Sequence, residues 1–299
     1  MTRKILLVVF FSMQAISSYG CESCGCSFSG LGLGMLTGFN RTYAGLSYQS
    51  AGFASAEGHN PTIHDQMQLL ELSFRYRINS RWQVQAVLPY RHNRRTEPGF
   101  TGLKQGISDV SMMGFYRFIN QKQLGKSTIL SLDGGAGFQA PTGQYEYDLV
   151  HRQGLPDNFS LGYGAWAPVI QLNAVLTRGD NGLITTGQHI HYLSNPQHIT
   201  FGAQTFIRSV AFHNMILSNG WVLTPFAGFQ AEMQGWNYNE EGLKMTDTKG
   251  YAWSLPLGIS IDLQPLVINA STTIPLEQQY ANGTLEAKSK IQLQLLFAF

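Results

Sequence analysis

Charge is what this sequence has least of. Only 13% of its 299 residues are Asp, Glu, Lys or Arg, where soluble domains carry roughly 25%. A water-soluble sandwich of alternating strands needs a charged exterior to stay dispersed, yet Gln, Ser, Asn and Gly stand here where Lys and Glu would be needed. The formal net charge is +2, without the clustered basic residues that nucleic-acid binding requires, so no nucleic-acid partner is expected. Cysteine is scarce as well, with three residues in all, every one between Cys21 and Cys26. Beyond the first twenty residues no stretch is apolar enough for a transmembrane helix. A nucleophile elbow, a phosphate loop and a zinc-protease helix are all missing. A barrel-borne hydrolase is therefore a remote alternative, and no enzyme is expected.

What is present points to export. Arg3 and Lys4 precede the apolar run from Ile5 to Phe11, and the small residues Ser17, Ser18 and Gly20 follow. That is the three-part plan of a secretory signal peptide, and the run is too short to span a bilayer. The expected organisation is a signal peptide over 1–20, a Cys/Gly-rich periplasmic segment over 21–39, and one domain over 40–299.

Aromatics make up 12% of the chain and glycines number 32, while mean hydropathy is close to neutral. Period-two alternation reconciles these values, because one strand face is then apolar and the other polar. Ile291, Leu293, Leu295, Phe297 and Phe299 share a face, opposite Lys290, Gln292 and Gln294. Leu70, Leu72, Phe74, Tyr76 and Ile78 alternate with Glu71, Ser73, Arg75 and Arg77, and Trp82, Val84, Ala86 and Leu88 with Gln83 and Gln85. Strands are expected over 40–52, 64–79, 80–92, 107–120, 126–140, 161–177, 182–194, 199–217, 220–234, 247–263, 264–275 and 286–299. Each is long enough for the roughly 9–11 residues of a tilted membrane strand. Short turns such as Asn79-Ser80, Ser218-Asn219-Gly220 and Gln264-Pro265 follow every second strand. The other connections are mostly long: 53–63, 93–106, 141–160, 235–246 and 276–285, with 195–198 the short exception. An even strand count, with short turns on one rim and long loops on the other, defines a transmembrane antiparallel up-and-down β-barrel in the bacterial outer membrane. The short turns and both termini would then be periplasmic. The partners implied are the lipid bilayer, small solutes, and the barrel-assembly machinery that reads a terminal aromatic, here Phe299.

Several short motifs follow one another along the middle of the chain: Leu88-Pro89-Tyr90, Gly106-Ile107-Ser108-Asp109-Val110, Tyr116-Arg117-Phe118 and Pro141-Thr142-Gly143. In this order and spacing, over roughly residues 65–145, the chain resembles the outer-membrane channel family named for the MetA pathway of phenol degradation. Where that family usually has a second glycine before the aspartate, this chain has Ser108. The resemblance implies a barrel that passes small, often apolar or aromatic, molecules, and it supplies no catalytic residues.

Candidate site residues fall into three groups. Cys21, Cys24 and Cys26 could bind copper or zinc through converging thiolates. In an oxidising compartment they could instead pair as a disulfide, or Cys21 could be lipidated. His189 and His191 share one strand face and could hold a metal if that face is lumenal, with His213 on the next strand as a third ligand. Glu71, Arg75, Arg77, Asp109, Arg117, Arg208 and Glu232 are expected to line the lumen.

Overall fold

In the computed structural model, residues 41–55, 63–146, 159–246, 248–283 and 285–299 are described. Twelve strands cross in chain order: β1 (Tyr43–Ser55), β2 (His64–Arg77), β3 (Trp82–Glu97), β4 (Phe100–Ile107 and Val110–Leu124), β5 (Thr128–Ala140) and β6 (Ala167–Arg178). They continue as β7 (Asn181–Ile190), β8 (Gln204–His213 with Met215–Ile216), β9 (Val222–Gln234), β10 (Gly250–Asp262), β11 (Leu266–Tyr280) and β12 (Leu285–Ala287 with Lys290–Ala298). Every strand pairs antiparallel with its neighbours in sequence. The last also pairs with the first, from Tyr43↔Ala298 to Ser50↔Ile291. The sheet is thus a closed barrel with its backbone groups satisfied around the ring, the condition for strands to exist in hydrocarbon.

The alternation sorts side chains opposite to a water-soluble protein. On β2, Leu72 and Phe74 are 54% and 44% exposed, whereas Ser73 and Arg75 between them are 8% and 7%. On β12, Leu293, Leu295 and Phe297 face out while Gln292, Gln294 and Leu296 are buried. Outward aromatic contacts such as Trp82–Tyr116, Tyr116–Phe118 and Phe229–Trp253 add to this apolar belt. Inside, polar residues occupy the middle and apolar clusters the ends. Tyr43, Val267 and Leu296 pack together near the short-turn rim, as do Ile184, Val210, Phe212 and Phe226.

The strand expectations hold in number and differ at the long-loop rim. The stretch 93–106, expected as a loop, is a hairpin: β3 runs to Glu97, β4 starts at Phe100, and Gly99 turns the chain at φ 83°. Likewise β11 continues to Tyr280, beyond the expected end at 275, and a 3-10 turn at Ala281–Gly283 replaces most of the loop. On β3 above the apolar belt the outward Arg94 and Thr96 are polar, so the alternation that marks a strand disappears there while the ladder continues. The reverse error occurs at β6, which begins at Ala167 rather than 161, because Phe159, Leu161, Tyr163 and Ala165 turn inward and are buried. The stretch 191–203 also leaves the regular ladder, so β7 ends and β8 begins inside their expected bounds. Asn195 closes that turn, its Oδ1 accepting from the N–H groups of Gln197 at 3.0 Å and Ile199 at 2.9 Å.

Gly137 on β5 is required by close backbone approach. A Cβ there would meet the Met112 carbonyl oxygen at 2.0 Å and the Met113 Cα at 2.7 Å. At Gly187 a Cβ would meet nothing within 4 Å. Overpacking of this kind costs about 1–3 kcal/mol. G137A is therefore expected to lower the urea midpoint of the purified barrel, followed by heat-modifiable gel mobility, while G187A leaves it in place. Equal midpoints for the two variants would refute this account.

Candidate functional site: the inward face of the barrel

The inner wall is built from charge pairs set directly across hydrogen-bonded rungs. Asp65 faces Arg95 across β2 and β3, and the guanidinium donates from Nε to Oδ1 at 2.7 Å and from Nη2 to Oδ2 at 2.5 Å. Arg117 faces Asp133 across β4 and β5 with the same fork, at 2.7 and 3.1 Å. Arg75 donates from Nε and Nη2 to Oε1 of Gln85, its rung partner, at 3.2 and 2.6 Å, and lies over the rings of Tyr43 and Phe115. Two parallel N–H groups on one carboxylate are the strongest neutralising geometry available to an arginine. They also keep these charges tolerable away from bulk water.

Amides and hydroxyls fill the rows between. Gln171 donates to Asn173 at 2.8 Å, Thr186 to the same Asn173 oxygen at 3.0 Å, Asn269 to Gln294 at 3.1 Å, and Gln292 to Ser47 at 3.1 Å. Glu232 on β9 accepts from Gln230 at 2.5 Å, Lys290 at 3.4 Å and the Tyr280 hydroxyl at 3.5 Å. Beside it lies a small pocket lined by Ala51, Phe53, Ala252, Pro275, Tyr280 and Ala287 with Ser254, Thr273, Glu232, Lys288 and Lys290. The β11–β12 ladder is interrupted there, between Thr273↔Lys290 and Tyr280↔Leu285. The Gln278 side chain bridges the gap, donating to the Ala287 carbonyl at 3.0 Å and accepting from its N–H at 2.8 Å.

Of the residues expected on the lumen, Glu71, Arg75, Asp109, Arg117, Arg208 and Glu232 are buried on the inward side. Arg77 is not among them. It is the last residue of β2, still paired with Gln83, and is exposed at the short-turn rim, where its Nε donates to the Asn79 carbonyl at 3.1 Å. Asp65, Arg95 and Asp133 join the inner wall without having been expected there. Asp65 and Arg95 lie at or past the edge of the apolar belt, and Asp133 sits among Leu130, Leu132 and two glycines, with little local signal. Inward parity with Arg117 across a hairpin would have found Asp133.

Three of the four motifs that carry the family resemblance converge on one structural node, where the Ser108 N–H donates to the Pro89 carbonyl at 2.8 Å. Asp109 occupies the two-residue break in β4, and its carboxylate accepts the Gly143 N–H at 2.9 Å and the Tyr163 N–H at 3.0 Å. The Ser108 hydroxyl donates to the Leu161 carbonyl. Thr142 donates to the Ser108 carbonyl and accepts the Val110 N–H, both at 2.9 Å. A Cβ on Gly162 would meet Asp109 Oδ1 at 2.3 Å, so glycine is needed for the approach. The node holds the turned-in stretch 159–166 against the inner wall. There Tyr163 packs on Tyr192 and Phe201, with ring centroids 4.9 and 4.5 Å apart, above Met113 and Phe115.

The histidines do not assemble. Ile184, Thr186, Gln188 and Ile190 take the inward face of β7, so His189 points outward, with Nδ1 2.9 Å from Thr205 Oγ1. The lumenal location considered for the pair is therefore corrected by strand parity. His191 is exposed, and His213 pairs with Asn181 at the far end of the same ladder. Among the described residues no three His, Cys, Asp or Glu side chains gather as a metal would require. Cys21, Cys24 and Cys26 lie outside the described residues.

Fold and inverted polarity together define the class: the chain is an outer-membrane-type β-barrel. It superposes on an outer-membrane channel from Pseudomonas putida F1 with a TM-score of 0.65 at 16% identity, covering 87% of this chain and 96% of that one. The β-domain of the Bordetella autotransporter BrkA gives a TM-score of 0.52 at 13% identity, over 87% of this chain and 100% of that one. At such identities the likeness is one of fold. No protein-family model and no curated protein matches the sequence.

The Asp65–Arg95 pair provides a direct test of the charged wall, since both side chains are essentially inaccessible. Removing one partner of a buried pair costs about 3–5 kcal/mol, whereas replacing both by apolar groups is often near neutral. R95M alone is expected to lower the urea midpoint sharply, and D65L/R95M to recover most of the loss. A double variant as unstable as the single one would contradict this reading of the wall.

Proposed function

We propose that this protein is a passive outer-membrane channel for small molecules, among them apolar or aromatic ones. The observation that carries the reading is the inverted closed barrel, with an apolar exterior suited to lipid around a polar, charge-paired interior suited to solutes. The short-turn rim and both termini face the periplasm in this reading, the long-loop rim faces outward, and Phe299 addresses the assembly machinery. The resemblance around Pro89, Asp109 and Pro141, together with the largely apolar walls of the cavity beside Glu232, supports the apolar and aromatic part of the substrate range. Selectivity resides in the inward side chains and in the 159–166 stretch that Asp109 holds across part of the interior. Asp65 with Arg95, Arg117 with Asp133 and Glu232 with Lys290 are engaged with each other, which suits a conduit better than an enzyme.

Liposome swelling with purified barrel tests this. Solute-dependent swelling is expected for the wild type. Faster swelling is expected for D109A, which removes the acceptor of two backbone N–H groups and frees 159–166 from the wall. No flux from either protein would defeat the channel reading, and unchanged flux in D109A would defeat the gating role of the node.

Copper or zinc binding by Cys21, Cys24 and Cys26 is a separate proposal, motivated by three thiols within six residues. Metal analysis of the wild type beside a C21A/C24A/C26A variant decides it, with equal metal content as the defeating result.

A further inference from the structure

Among the described residues four arginines are buried: Arg75, Arg95, Arg117 and Arg208. Three of them use the guanidinium in one way, turning Nε and Nη2 together onto a side-chain oxygen of the neighbouring strand. Arg208 on β8 is the exception. It is only 5% exposed, and its Nε and Nη2 have no hydrogen-bond partner. That edge is the one that takes a carboxylate with two parallel hydrogen bonds.

The wall around Arg208 does not supply the missing oxygen. Its rung partners are Thr186 and Gln230. The Thr186 hydroxyl donates to Asn173, and the Gln230 amide donates to Glu232. Glu232 in turn is engaged by Gln230, Lys290 and Tyr280. Glu232 acts on Arg208 through space but accepts no hydrogen bond from its Nε/Nη2 edge. A buried guanidinium edge left without an acceptor is costly, so this edge is open to an anion. A second feature points to the same place. Gln188, two residues from Thr186 on the same inward face, is buried with both amide atoms unpartnered. Gln171, opposite Gln188, uses its Nε2 on Asn173 and leaves Oε1 buried and unpartnered. Diagonal neighbours on adjacent strands lie roughly 7–8 Å apart, within reach of long side chains. Phe206, the rung partner of Gln188, puts an apolar ring beside this polar group.

We propose that Arg208 and Gln188 form a lumenal binding site for a small organic carboxylate. The carboxylate lies on the Nε/Nη2 edge of Arg208, the Gln188 amide meets its polar flank, and Phe206 packs on its apolar body. The open edge is one fork wide, which suits one carboxylate. A phosphate dianion would bring a second negative charge toward Glu232, whose Oε1 already holds Lys290 at 3.4 Å. This proposal rests on the channel reading only for how the ligand arrives, and it narrows the substrate range to molecules bearing both a carboxylate and an apolar part.

Equilibrium dialysis of labelled benzoate against the purified, folded, full-length barrel tests binding without requiring flux, with heat-modifiable mobility reporting the fold of each variant. Saturable binding is expected in the wild type, weakened at least tenfold in R208Q. R208K keeps the charge and loses the paired N–H edge, so it is expected to bind more weakly than the wild type and more tightly than R208Q. Benzyl alcohol, which lacks the charge, is expected to show no difference between wild type and R208Q. In the wild type, acetate is expected to displace benzoate at lower concentration than inorganic phosphate, a comparison that holds even if R208Q does not fold. Benzoate binding within twofold of wild type in a folded R208Q or R208K barrel would overturn the proposal, as would preferential displacement by phosphate. Arg208-dependent binding without liposome flux would defeat the channel reading alone, whereas flux with Arg208-independent binding would defeat this site alone.

Discussion

From Tyr43↔Ala298 to Ser50↔Ile291 the last strand hydrogen-bonds to the first, and that seam removes the two open edges a twelve-strand sheet would otherwise present. In hydrocarbon an unpaired N–H or C=O costs several kcal/mol, so the ring must close before the apolar faces can meet lipid. The Phe299 N–H extends the seam by donating to the Thr42 carbonyl at 3.0 Å. The interruption on the β11–β12 side is bridged by the amide of Gln278, which imitates a peptide unit.

Closure then dictates where polarity goes. Because side chains alternate, twelve strands with apolar exteriors must carry their polar residues into one enclosed space. The three forked arginines, Asn269 with Gln294 and Gln292 with Ser47 satisfy each other there across adjacent strands, and Gln171 with Asn173 along one strand. The interior is a lattice whose rungs are set by backbone register, which is why single charge deletions and paired replacements should behave so differently. Arg208 stands out against this lattice because its rung partners, Thr186 and Gln230, donate to Asn173 and Glu232.

Much of this architecture is legible in the order of residues alone. The twelve strands, their short turns and the outward sets on β2, β3 and β12 follow from period-two alternation, since the membrane enforces a strict apolar face. Legibility fails where that enforcement stops. Past the belt, β3 continues into a hairpin with polar Arg94 and Thr96 facing out, so a ladder looks like a loop. At 159–166 the apolar residues imitate a strand, yet they turn inward because Asp109, Ser108 and Asn93 hold their backbone. His189 differs from its expected place by one residue of parity, which in a strand is the whole difference between lumen and lipid.

Sequence by itself determined the class, because the scarcity of charge, the alternation and the unequal connections are one-dimensional consequences of a bilayer crossing. It also marked Ser108-Asp109 and Pro141-Thr142-Gly143 as a set without saying that they touch. Only the tertiary structure decided which polar side chains are already spent. Whether Arg95 meets Asp65 while Arg208 keeps an open edge depends on the register between strands, and register is a relation between distant residues that no local pattern contains.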